Sequence, residues 1–161
     1  MKEKIKNIIV GLLCFLLKLL GIALILTVGA QIASRYIPNV KLVWTEELSR
    51  LIFVWYALLS IAVAYIEDKH LSLDILYEKL GPKAQRFLDG LEVVLTLVVS
   101  LVITVKGFGL LGTVKIQTSP ILQVPMSVFY AAIPVGFVFV SVFALLNCIE
   151  FLGTFVKKED K

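Results

Sequence analysis

Glu46, Glu47 and Arg50 stand at the mouth of a long apolar run, in the segment Trp44-Thr45-Glu46-Glu47-Leu48-Ser49-Arg50. Charges that close to hydrocarbon are costly, and they mark ion pathways, proton relays or paired contacts. Two carboxylates and a guanidinium could fix the second helix against the first. Part of the cluster follows from helix chemistry alone. Thr45 is a candidate N-cap, and Glu46 and Glu47 then fall in the first turn, where the helix dipole favours negative charge. Glu46 and Arg50 are four residues apart and can pair along the helix. The alternative gives these groups, with Trp44, to a partner subunit.

Other residues offer weaker chemistry. His70-x-x-x-Asp74 has the letters of a metal pair, but a zinc site needs three or four ligands. A local hydrogen bond at the exit of the second apolar run fits better. One histidine excludes a bis-histidine haem within the chain, because that haem takes two axial imidazoles. Gly107-Phe108-Gly109-Leu110-Leu111-Gly112 matches a dinucleotide fingerprint in letters only. It lies in an apolar run with no strand before it, so Gly107, Gly109 and Gly112 are expected to let another helix approach closely. Cys14 and Cys148 lie inside apolar runs and are expected to be packed free thiols. No nucleophile–base set, phosphate loop or metal cluster stands out. The expectation is a protein that is no enzyme and carries no cofactor.

The elements that must position these residues are helices in a membrane. The chain is 59% hydrophobic with a mean hydropathy of +0.94, against about 45–50% apolar residues in soluble domains. Four runs can each cross a hydrocarbon core, which takes about 20 helical residues: 8–37, 46–66, 88–114 and 127–155. The expected fold is an all-α integral membrane protein, one four-helix domain over residues 1–161. The first run follows Lys2, Lys4 and Lys6, yet it is too long for a signal-peptide core and is expected to be a retained anchor.

The net charge of +4 reflects topology rather than nucleic-acid binding. Lys2, Lys4, Lys6, Lys69, Lys79, Lys83, Arg86, Lys157, Lys158 and Lys161 gather at the termini and in the middle connection. By the positive-inside rule these lie in the cytoplasm and the other two connections lie outside. Tyr36 and Trp44 suit the outer aromatic belt.

Further features refine this frame. Lys4, Asn7, Gly11, Cys14 and Lys18 share one face of the first helix. Either its first turns lie in the interface, or the helix tilts and Lys18 snorkels to the headgroups; a Lys18 paired inside a partner is the third reading. Pro38-Asn39 ends that helix. Leu73, Leu76, Tyr77 and Leu80 follow the spacing of an apolar helical face, so 72–80 is expected to lie flat on the cytoplasmic interface among membrane lipids. Gly81 stops it and Pro82 opens the third span. The uncharged loop Gln117–Pro125 is expected to dip into the interface or rest on a partner. Ser127 is a candidate cap for the fourth span, and Pro134 is expected to kink it.

A transporter acting alone needs a polar pathway at mid-membrane. The central stretches 24–29, 56–62, 98–103 and 138–145 hold only Thr27, Tyr56, Ser60, Ser100 and Ser141 as polar side chains. A small protein without a pathway suits an accessory that anchors a larger membrane protein. A self-assembling small transporter and a membrane scaffold without a transport role are the alternatives.

The sequence resembles the small membrane subunit of tripartite ATP-independent periplasmic (TRAP) transporters, the DctQ-like family. Four features carry the resemblance: Trp44 to Arg50 followed by Phe53-x-Trp55; His70-Leu71-Ser72-Leu73-Asp74; the Pro120-to-Pro125 loop; and Ile133-Pro134-x-Gly136. The resemblance implies three parts. A periplasmic binding protein captures an organic anion, often a carboxylate or sialic acid. A large membrane subunit carries it by sodium-coupled elevator movement. The small subunit, here of the unfused type, holds the large one's static scaffold in the bacterial inner membrane and helps dock the binding protein.

Overall fold

Leucine, isoleucine, valine and alanine dominate the four runs, and a backbone in hydrocarbon must satisfy its polar groups internally. Helices result. A computed structural model describes residues 2–37, 42–67 and 81–159, with the backbone alone for 2–5, 82, 83, 86 and 150–159. The helices are α1 (Lys2–Tyr36), α2 (Trp44–Ile66), α3 (Pro82–Val114) and α4 (Met126–Glu159). Among the described residues, the stretches long and apolar enough to cross a membrane are Lys6–Tyr36, Trp44–Ile66, Phe87–Val114 and Met126–Ile149. Pro82 opens α3 behind an extended Gly81, whose carbonyl accepts the N–H groups of Ala84 and Gln85. The flat helix expected over 72–80, with Leu73, Leu76, Tyr77 and Leu80, lies outside the described residues, as do His70, Asp74 and Pro38-Asn39.

Two expected caps are displaced. α2 starts at Trp44, behind a Val43 already in right-handed helical geometry and offering no side-chain cap. Thr45 is therefore inside the helix. Its buried hydroxyl turns back and donates to the Leu42 carbonyl at 2.5 Å. Ser127 is likewise the second residue of α4 rather than the residue ahead of it.

The helices form a row rather than a closed bundle. α1 packs on α2, α2 on α4, and α4 on α3. The two inner helices meet through a close approach. A Cβ built on Gly136 would stand 2.9 Å from the backbone oxygen of Leu58. Glycine is what lets these backbones come so near, and dispersion contacts then hold them where lipid offers no hydrophobic gain. Leu59, Ala62, Val63, Tyr65 and Ile66 of α2 bury against Val140, Phe143 and Ala144 of α4, with Leu13 of α1 joining them. On the far side of α4, Pro134 lies within the helix and its ring fits against Gly107 of α3, 3.1 Å from a Cβ built there.

Candidate functional site

The connections α1–α2 and α3–α4 share one end of the row, here called the rim. There the two adjacent glutamates part company. Glu46 is exposed and pairs with Arg50 at 3.4 Å, as the spacing predicts. Both side chains are more than 60% exposed, and such pairs contribute about 0–1 kcal/mol.

Glu47 lies about 100° further round the helix and is only 7% exposed. Its Oε2 accepts the Ser119 hydroxyl at 3.0 Å and the Leu122 N–H at 2.6 Å. Ser119, fully buried, also accepts the Val124 N–H at 3.2 Å and donates its own N–H to the Val124 carbonyl at 2.9 Å. Below this, the Met126 N–H donates to Gln117 O at 2.8 Å. The loop is thus folded around one carboxylate. Gln123 adopts a left-handed φ of 54°, which a non-glycine residue holds only where its surroundings fix it. Its side chain donates to Pro120 O at 3.2 Å. The sequence left this loop to the interface or a partner; within the chain, it rests on Glu47.

Below the rim, the Trp55 indole N–H donates to the Val128 carbonyl at 3.1 Å, joining α2 to the first turn of α4. Trp44 stays 44% exposed beside the rim. Deeper, the Thr104 and Ser141 hydroxyls stand 3.4 Å apart between α3 and α4, each beside a carbonyl of its own helix. Thr27, Ser60 and Ser100 also turn to carbonyls of their own helices. At the opposite end, Asn147 and Tyr65 approach to 3.5 Å. Cys14 and Cys148 are free and half-buried.

Of Gly107, Gly109 and Gly112, only Gly107 meets a helix; Gly109 and Gly112 have nothing within 4 Å. Sequence reasoning singled out Glu47 but missed its partners Ser119 and the Leu122 backbone, and it passed over the close packing of Gly136 and the hydrogen bond of Trp55. One signal pointed to Glu47: Arg50 can serve one of the two glutamates, and the other then needs donors elsewhere.

Glu47, Trp55, Thr104, Ser141 and Asn147 join one helix to another or to the loop between α3 and α4, and those at the rim form a mechanical clasp. The fold and rim define a multi-pass, all-α membrane protein. The family of tripartite ATP-independent periplasmic transporters, DctQ component, matches residues 24–154. The chain belongs to that family, whose members are membrane subunits of transporters. Among its relatives, an uncharacterized protein of Sinorhizobium fredii is 33% identical over 82% of this chain and 25% of its own length. The isethionate TRAP transporter permease protein DctMQ of Oleidesulfovibrio alaskensis is 29% identical over 72% of this chain and 20% of its own. The sialic acid TRAP transporter small permease protein SiaQ of Vibrio cholerae is 28% identical over 73% of this chain and 68% of its own. The chain thus spans about a quarter and a fifth of the first two relatives.

Proposed function

We propose that the chain is the small permease subunit of a sodium-coupled TRAP transporter for organic anions, carboxylates or sialic acid among them. It holds the scaffold of a large elevator-type permease in the bacterial inner membrane, with both termini in the cytoplasm and the rim outside. One observation carries this reading. The row ends in two helices whose apolar 18-residue windows are 6% (α1) and 11% (α3) buried, against 33% for α2 and 44% for α4. A rigid pair flanked by two open helices suits a part that lines a larger body. Substrate and sodium sites then belong to the large subunit, in keeping with hydroxyls that serve their own helices.

The rim supports a second task. A loop tied to α2 through Glu47 offers a fixed surface to a periplasmic binding protein. Trp44, Glu46 and Arg50 remain exposed beside it, and the basic termini favour this orientation.

Co-expression with a large TRAP permease subunit from the same genome and purification through a tag on this chain is the test. The complex should elute as one species. Liposomes holding both subunits and binding protein should take up substrate on a sodium gradient, and liposomes with this chain alone should not. Flux through the chain alone would overturn the reading in favour of a self-assembling transporter.

A further inference from the structure

Lys106 is poorly placed for a chain that lies alone in lipid. Exposed apolar residues flank it on both sides along α3: Val102 and Val105 before it, Phe108 and Leu110 after it. Its side chain is exposed and makes no hydrogen bond or ion pair with a described residue. Two rulers give its depth. Lys106 precedes Lys115 by nine residues, or about 13 Å of helix. Its neighbour Gly107 fits against Pro134, eight residues into α4 from Met126, or about 12 Å. Both set the Lys106 backbone about 12–13 Å along the helix from the rim, with exposed Phe108 and Leu110 in between.

Snorkelling gives little relief here. Side chains on a helix lean toward its N-terminus. For α3 that end is the far one, so Lys106 leaves its helix leaning away from the nearer rim. A lysine stem reaches roughly 6 Å, short of headgroup phosphates at the rim even when bent back. Lys18 on α1 is the reverse case. It leans toward the end that carries Lys2, Lys4 and Lys6, and the same bias takes its ammonium toward water.

A charge at this depth calls for a counter-charge at the same depth. We propose that Lys106 pairs with a carboxylate on a membrane-embedded helix of the large permease subunit, which packs on the free face of α3. This rests on the reading of the chain as a small permease subunit, and it names where the two subunits meet. Val98, Val102 and Val105 form the apolar part of that face. Gly109, with nothing within 4 Å, leaves room for the approaching backbone.

The test uses the two-subunit complex in native membranes. Dicyclohexylcarbodiimide, a membrane-permeant coupling reagent, activates the carboxylate. The Lys106 amine then displaces the urea and leaves an amide between the chains. Mass spectrometry should map that amide to Lys106 and one Asp or Glu of the large subunit, and Lys106→Leu should abolish it. Lys106→Glu should lower recovery of the complex about tenfold, and Lys106→Arg should restore it. Absence of the Lys106 adduct from an intact wild-type complex overturns the pairing, whatever the variants yield. Loss of bound anionic lipid in Lys106→Leu with the complex at full yield and no adduct also overturns it, in favour of a lipid phosphate. A wild-type chain that never co-purifies with the large subunit removes the proposed function, and the pairing with it.

Discussion

The inner helices α2 and α4 and the edge helices α1 and α3 are all apolar enough to cross a membrane, yet they behave differently. The inner pair is fastened four times along its length, Asn147 and Tyr65 meeting at the end away from the rim. Glu47 grips the loop leading into α4, Trp55 donates to Val128, and Gly136 admits the backbone of Leu58. α3 holds to α4 by the Gly107–Pro134 fit and a pair of hydroxyls, and among the described residues nothing covers the exposed Leu95, Val98 and Val102. α1 has fewer such devices still: Gly21 lies 3.5 Å from the Tyr56 ring when given a Cβ. In lipid, apolar surface alone does not choose a neighbour. Small residues and single polar contacts do, and where they are missing a helix face is free for something else.

Substitutions can break this contrast. The largest effect should come from Gly136→Val. Its branched side chain would meet the Leu58 carbonyl, and overpacking of this kind costs about 3 kcal/mol. The thermal midpoint of the detergent-solubilised chain should fall sharply. Glu47→Ala comes next. It leaves the buried Ser119 hydroxyl and the Leu122 N–H without their acceptor, at about 2 kcal/mol or more. Glu47→Gln keeps an acceptor and should cost less. Limited proteolysis between residues 117 and 125 reads this directly, with faster cleavage in the alanine variant. Trp55→Phe removes one hydrogen bond and should cost about 1 kcal/mol, seen in the same melting curve.

On the edge the expectation inverts. Leu95→Ala and Val98→Ala alter exposed side chains of α3, so the isolated chain should melt within about 0.5 kcal/mol of wild type. Recovery of the large subunit should nevertheless fall. A melting loss as large as that of Trp55→Phe would mean that the edge is packed after all. Arg50→Ala sharpens the comparison at its small end. It breaks only the exposed pair with Glu46 and should shift melting by less than about 1 kcal/mol.

Much of the architecture could be read from the residues. Long apolar runs, Pro82 behind Gly81 and the Glu46–Arg50 spacing rest on local physics, and local physics is written in short windows. Two caps could not be read, because a helix can start wherever the backbone already turns. Val43 does so one residue before Trp44, leaving Thr45 inside. The partners of Glu47 were hidden for another reason. One is a backbone N–H, which has no signature in any residue type, and both lie more than seventy positions away. The glycines of α3 illustrate a third limit. Composition marks Gly107, Gly109 and Gly112 alike, and only the position of α4 decides that Gly107 is the one in contact.

The grip of Glu47 on the α3–α4 loop has a consequence in time. Its partner Ser119 is made 72 residues later, about 4–14 s at ordinary rates of synthesis. Through that interval α2 must enter the membrane with a carboxylate that has no lasting donor. Arg50, made moments after Glu46, closes its pair at once. Placement at the water's edge keeps the waiting group hydrated. The clasp can shut only once the loop that follows α3 has been made, so a closed rim records that α3 has been threaded.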